Sequence, residues 1–142
     1  MKASEKSGKE FAIVSEMMDL RNRQLAEVTR ADDFIVSDHL VSLMLAQVSE
    51  NKHLNAVFAD LFNPEGSEIY LKPATNYVKT GEAMTFHTVV EAAKQKNETA
   101  IGYRLKRDAH DQSKAYGVAV NPSKKASVTF ADGDRVIVLA EN

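Results

Sequence analysis

The chain has no cysteine in its 142 residues. Disulfides, thiolate metal sites and a cysteine nucleophile are therefore excluded, and a reducing compartment fits. No stretch approaches the roughly 18 consecutive apolar residues of a membrane-spanning helix, so the expectation is no direct membrane insertion by this chain. The opening MKASEKSGKE lacks the apolar core of a secretory signal and reads as a polar lead-in. Neither sign of charge dominates: 18 basic and 20 acidic residues leave a formal net charge of -2. That argues against a nucleic-acid partner held through a broad basic face. Catalytic signatures are also missing. There is no Gly-x-Ser-x-Gly elbow, no P-loop and no HExxH, and no spacing of serines and histidines favours a triad. The chain is expected not to be an enzyme.

What is present is an ordinary globular composition, 44% hydrophobic and 27% charged. The length suits one domain, or two small lobes sharing a connector. The most informative stretch is 37–62, read as two apolar helices back to back, SDHLVSLMLAQVSE and NKHLNAVFADLF. Leu40, Val41, Leu43, Met44, Leu45 and Val48 lie nearly all round a helical wheel, and a helix apolar on every side needs cover on every side. Leu54, Val57, Phe58, Leu61 and Phe62 follow the i, i+3, i+4, i+7, i+8 pattern of a one-faced helix. Together they carry more apolar surface than a small domain hides. A homodimer interface is expected on Leu40, Leu43, Met44, Val48, Leu54, Val57, Phe58 and Leu61.

Ahead of the helices, FAIV (11–14) and FIV (34–36) are short unbroken apolar runs, suited to strands buried on both faces of a parallel sheet. Residues 21–30 lie between them, with Leu25, Ala26 and Val28 as inward candidates, and the spacing admits a helical crossover. The reading is one β-α-β unit over 1–36, part of a larger α/β lobe and so a piece of a longer protein. Ser37 suits an N-cap, and NPEG (63–66) is a stop and turn. Beyond it, 67–142 reads as a small α+β lobe. Residues 68–72 alternate, with Ile69 and Leu71 on one face. A helix follows, capped by Thr85 or Thr88, with Phe86, Val89, Val90 and Ala93 in a stripe, and Thr88 with Glu91 matches capping-box spacing. Residues 100–105 alternate with Ile101, Tyr103 and Leu105 on one side. Strands at 116–120, 126–130 and 135–140 follow, the last two joined by Asp132-Gly133 as a hairpin signal. Residues 106–114 read as a mobile polar loop. The fold class is thus α/β plus α+β.

The order of these parts resembles the regulator-of-potassium-conductance module, in which a Rossmann-like lobe leads through a dimerising helix-turn-helix into a TrkA-C-like lobe. The wording is similar to the CASTOR/POLLUX branch of ion channels. The residues that carry this are IVSEMMDLRNRQLAEVTRADDFIVSDHLVSLMLAQVSENK (13–52), LFNPEGSEIYLKPATNYV (61–78), TAIGYRLK (99–106) and VTFADGDRVIVLAEN (128–142). The resemblance implies the C-terminal part of a Rossmann-like lobe over 1–36, a dimerising helix-turn-helix over 37–62 and a TrkA-C-like lobe over 67–142. It implies a cytoplasmic regulatory domain of a cation channel, potassium-type, that couples ligand binding to gating. The partners implied are a sister copy, a larger ring, and a channel pore domain in the full-length protein. The location implied is the cytoplasmic face of a membrane. Pore helices and a Gly-rich nucleotide loop are not among these residues, so no ion conduction or dinucleotide binding is expected of this chain alone. The other reading is a stand-alone TrkA-C-type module that binds a small ligand for a transport system.

Candidate ligand residues follow from strand-end logic. Ligands of open α/β sheets gather at the carboxyl ends of strands. Glu16 and Asp19 follow the first strand, while Asp32, Asp33 and Asp38 bracket the second. Hard cations take several carboxylate and carbonyl oxygens. Calcium is the candidate cofactor, a choice that the resemblance to plant channels also favours. The same acids read equally as solvated loop residues, with Asp38 placed for the helix dipole. His39, His53, His87 and His110 show no metal-ligand spacing. His39 and His53 are expected to line the helix pair, where a pH-sensitive contact is possible chemistry. Asp108, His110 and Asp111 form a weaker metal candidate in the polar loop. Met17, Met18, Met44 and Met84 read as core fillers, and Lys124 with Lys125 as a solvated spot.

Overall fold

The computed structural model describes residues 14–17, 33–63 and 65–141, with the backbone alone described at 14–17, 33–36 and 38. The chain divides into two compact units, Met1–Val57 and Phe58–Asn142.

In the first unit, β1 (Val14–Met17) pairs in parallel with β2 (Asp33–Val36), in the register Val14↔Asp33 to Met17↔Val36. Parallel neighbours need a crossover between them, which agrees with the β-α-β reading. The crossover residues Leu25, Ala26 and Val28 lie outside the described residues, as do 11–13 of FAIV. Of FAIV, only Val14 falls within the described part of β1. Glu16 therefore sits inside β1 rather than after it, and Asp33 is the first residue of β2. α1 (Ser37–Glu50) follows directly, so Ser37 belongs to the helix itself. Asn51 ends it. Its amide donates to Gln47 O at 3.2 Å, and its side-chain Oδ1 accepts from the His53 amide at 3.0 Å. Its carbonyl accepts from the Leu54 amide at 3.0 Å, which opens α2 (Leu54–Leu61). Asn thereby makes the turn that its short acceptor side chain favours. At the far end, the Glu65 amide donates to Asn63 Oδ1 at 3.1 Å, and Gly66 takes φ 112°.

The second unit is a four-stranded sheet in the order β3-β8-β5-β6, all neighbours antiparallel, with one helix against it. The strands are β3 (Glu68–Pro73), β5 (Thr99–Arg104), β6 (Val118–Val120) and β8 (Arg135–Ala140). A separate ladder joins β4 (Ala83–Thr85) to β7 (Ser127–Thr129); β4 was not foreseen. α3 (Phe86–Lys94) buries Phe86, Val89 and Ala93. They meet Ala100, Val136, Val138, Phe130 and Val128 in one cluster, with Tyr70, Tyr103 and Met84 packed on it. The Tyr103 ring lies between Phe86 and Phe130, with centroids 5.9 and 5.7 Å away, within the range of favourable aromatic pairs.

Several expectations are corrected here. Ile69 and Leu71 do share a face, but it is the outer one, and Glu68, Tyr70 and Lys72 point inward. Register decides this: Tyr70 lies opposite Val138 and Lys72 opposite Val136, both core residues, and a shift by one residue would exchange the faces. Ile101, Tyr103 and Leu105 do not share one side. A bulge between Ala100 and Gly102 interrupts the alternation. Gly102 is required there, since a Cβ would stand 2.3 Å from Ala119 O. Of the two caps expected for α3, Thr85 is the one found, with no side-chain bond of its own; the His87 amide donates to Lys124 O at 3.1 Å. Thr88 and Glu91 both lie inside the helix, so they form no capping box.

Residues 106–114 form short 3-10 turns tied by their own side chains, not a loose loop. The strand expected from 116 begins only at Val118, because Ala115, Tyr116 and Gly117 all have positive φ. Finally, β7 and β8 are not a hairpin. β7 pairs with β4, and β8 enters the sheet centre between β3 and β5. Asp134 stands directly before β8. Buried to 2% exposure, its carboxylate accepts from the Lys106 amide at 2.7 Å and the Ala131 amide at 2.8 Å. Its carbonyl accepts from the Ala74 amide at 3.0 Å. Three segments thus meet at Asp134, directly before β8.

Candidate functional site

Several apolar residues of the two central helices are exposed. Leu40 is 42% exposed, Val41 54%, Leu43 52%, Leu45 64%, Val57 55% and Phe62 59%. By contrast the stripe of α3, Phe86, Val89 and Ala93, is at 0%. Met44 and Val48 are half-buried one turn apart, and so are Leu54, Phe58 and Leu61 at i, i+4, i+7. The Phe58 and Phe62 rings stack with centroids 6.4 Å apart. Of the residues expected at an interface, Leu40, Leu43 and Val57 are thus the open ones. Val41, Leu45 and Phe62, which the sequence pattern also named as apolar, are exposed as well. Exposed apolar residues in number are a general sign of an interaction surface. His39 and His53 are exposed on the same segment.

The acids proposed for a cation are only partly described. Asp19 and Asp32 lie outside the described residues. Asp33 is in register with Val14, two residues before Glu16 on the neighbouring strand, so it stands at the amino end of the pair. Asp38 lies in the first turn of α1. No group of three or more potential metal-ligating side chains occurs among the described residues. In the polar loop, Asp108 accepts from Lys114 Nζ at 2.7 Å, and Asp111 Oδ1 accepts from the Ser113 amide at 2.9 Å and Oγ at 2.6 Å. The Ser113 bonds hold the Asp111 carboxyl below its ordinary value, and the Asp108 carboxylate raises Lys114. These acids tie the loop together, while His110 is exposed. Met84 packs on the core as a filler.

One polar centre was missed in the sequence. Glu98, just before β5, accepts from Lys72 Nζ at 2.7 Å and from the Tyr77 hydroxyl at 2.5 Å. Burial would raise its carboxyl, but the bonds from Lys72 and Tyr77 outweigh it and hold the carboxyl low. Burial and the Glu98 contact push the Tyr77 hydroxyl up. Lys72 Nζ also lies 5.2 Å from the centre of the Tyr70 ring, and Tyr70 donates to Glu68 at 2.6 Å. This row explains why β3 turns its polar residues inward: an edge strand can seal the core rim with paired groups. A separation of 26 residues between Lys72 and Glu98 left no local signal.

No protein-family model matches the chain. Similar proteins do exist. The chain is 35% identical to the probable ion channel POLLUX of Arabidopsis thaliana over 137 residues, which is 96% of this chain and 15% of that protein. It is 37% identical to the ion channel POLLUX of Lotus japonicus over 139 residues, 97% of this chain and 14% of that protein. It is 35% identical to the ion channel CASTOR of Lotus japonicus over 113 residues, 80% of this chain and 12% of that protein. The chain therefore spans a small part of the length of these relatives. They are named as channels, not enzymes, which supports the reading of a non-enzyme. Among the described residues no helix is long and apolar enough to cross a membrane. Over nearly all of its own length, then, the chain matches the CASTOR/POLLUX family of ion channels.

Proposed function

We propose that this chain is a cytoplasmic regulatory and oligomerisation region of a potassium-type cation channel. The observation that carries the reading is the exposed apolar surface of α1 and α2, set beside the channel names of the relatives. Two copies pair through Leu40, Leu43, Val57 and their neighbours, and pairs build a larger ring beneath a pore domain in the full-length protein. The parallel β1–β2 pair is read as the end of a Rossmann-like lobe, and the second unit as TrkA-C-like. A ligand shifts the equilibrium between two arrangements of such an assembly only by its differential affinity for them. Calcium is the cation proposed for Glu16, Asp19, Asp32, Asp33 and Asp38, on the oxygen chemistry that it requires.

Light scattering on the purified chain tests the pairing. A dimer is expected, and a strict monomer at high micromolar concentration would remove the central support. A thermal-shift series with calcium, magnesium, potassium, sodium and nucleotides tests the ligand, because binding to the folded state raises the melting temperature. A flat response to calcium beside a clear response to another ligand retires the calcium assignment. The second unit has its own closed core, and this favours one other reading, a stand-alone ligand-binding module of a transport system. A multi-span hydrophobic segment in the same reading frame would decide against it.

A further inference from the structure

One level of the second unit's sheet carries a row of residues across all four strands. Pro73 is opposite Arg135, Arg135 is opposite Arg104, and Arg104 is opposite Val118. Their neighbours fix the direction. Val136 lies in the core and Tyr103 packs on it, so Arg135 and Arg104 take the other face by strand alternation. Arg135 is exposed and Arg104 half-buried.

Residues directly opposite on adjacent strands hold their Cβ atoms about 4.5–5.5 Å apart, and like charges in that position repel. Neither guanidinium has an ion pair or hydrogen bond among the described residues. The acids of the adjoining turns do not answer them. Asp134 is buried, and its carboxylate is taken by the Lys106 and Ala131 amides. Asp108 is paired with Lys114 and Arg107. Asp132 is exposed and makes no ion pair among the described residues. A third cation stands at the same end of the sheet. Lys106 follows Arg104 by two residues, and its side chain passes over Gly133, where a Cβ would stand 3.3 Å from its Nζ. Gly133 in turn precedes Arg135 by two residues. The flanks of the arginine pair are apolar, with Pro73 exposed and Val118 37% exposed.

We propose that Arg104 and Arg135 hold a phosphoryl group, a tetrahedral oxyanion set between the two guanidinium forks. The charges balance. A phosphomonoester carries about -1.5 to -2 at neutral pH, and each guanidinium is permanently positive. The shapes match as well. Each fork donates parallel N–H bonds to a pair of oxygens, and a tetrahedral anion turns different oxygen edges to different forks. A carboxylate offers one such edge and one charge, which leaves the second arginine unanswered. Lys106 adds positive potential at this end. The sheet face is open, so the phosphoryl group is the part recognised and the rest of the molecule stays in solvent. The site shares no residue with the helix pair or with the acids proposed for calcium, and it stands or falls apart from them.

The test is a thermal-shift and titration-calorimetry series on the full chain. The probes are inorganic phosphate and phenyl phosphate, with chloride and acetate at the same ionic strength as references, because any salt screens the arginine pair. Inorganic phosphate at about ten times its dissociation constant is expected to raise the melting of the second unit by about 5 °C or more over chloride, with acetate no better than chloride. Arg104→Gln and Arg135→Gln each weaken phosphate binding about tenfold or more. Lys125→Gln, at an exposed lysine of another turn, leaves it within about threefold. In chloride, Arg135→Gln melts no lower than the parent, because it removes a repulsion. The source of the phosphoryl group is read separately. Binding of phenyl phosphate in solution assigns a soluble phosphomonoester. Cosedimentation with vesicles containing phosphatidic acid, without phenyl phosphate binding, assigns a lipid headgroup. Both require the arginines. A chain that behaves in phosphate, phenyl phosphate and phosphatidic acid vesicles as it does in chloride overturns the proposal. So does phosphate binding that survives both arginine substitutions. A lower melting temperature of Arg135→Gln in chloride, with phosphate binding intact, makes the arginine a support of the fold and overturns it too.

Discussion

Leu43→Asp is the sharpest test of the helix pair. Leu43 is 52% exposed in the single chain. Burying a whole leucine is worth about 1.5–3 kcal/mol, so about 1 kcal/mol remains to be gained at an interface. A twofold contact contains the residue twice, which brings the loss on replacing it to about 2 kcal/mol. The aspartate adds the cost of drying two carboxylates, and a total of about 4 kcal/mol weakens the dimer about a thousandfold. The fold itself loses little, because the position faces water. Sedimentation velocity across a concentration series reads the dissociation constant, and circular dichroism reads the fold. Glu91→Lys, on the exposed side of α3, serves as the control and should leave association within about threefold of the parent. An unchanged dissociation constant for Leu43→Asp would refute the argument that this surface is the dimer contact.

Asp134→Ala removes the carboxylate that accepts the part-buried bonds from the Lys106 and Ala131 amides. Each costs about 1–3 kcal/mol, so the second unit should melt about 15–25 °C lower by calorimetry. Glu98 makes stability pH-dependent with a definite sign. Its folded carboxyl is held low, so its contribution is present above the unfolded value of about 4.3 and is lost as pH falls through the folded value. Glu98→Gln should therefore melt lower than the parent at neutral pH, with the gap closing below about pH 4. A gap that persists unchanged into acid would sink this account of the centre. Tyr77, raised in the fold, works at the other extreme. It supports stability below about pH 10, and that support is lost as pH rises further. Gly117→Ala places a Cβ 2.2 Å from Leu105 O at φ +80°. Loss of about 2 kcal/mol or more is expected in a denaturant titration.

Periodicity made much of this protein legible in advance. The stripe of α3 is recovered as buried core because a 3.6-residue repeat needs no knowledge of neighbours. The excess apolar content of 37–62 is visible for the same reason, and Leu40, Val41, Leu43, Leu45, Val57 and Phe62 of that stretch are exposed. The parallel pairing of β1 and β2 follows from two apolar runs with room for a crossover between them. Alternation was less reliable. It identified Ile69 and Leu71 as companions but could not say which face they take, and one bulged residue at 101 upset the reading of β5.

The amino-acid sequence by itself determined which segments become helices and strands and where apolar surface exceeds what a small domain can cover. These are properties of neighbours in the chain, set by local sterics and repeat spacing. Tertiary structure alone decided the rest. Asp134 ties the start of β8 to segments far along the chain. Glu98 meets Lys72 and Tyr77 across the edge of the sheet. Arg104 and Arg135 come together only because β5 and β8 pair in one particular register. Each is a contact between residues remote in sequence, and such a contact has no local pattern from which it could be read.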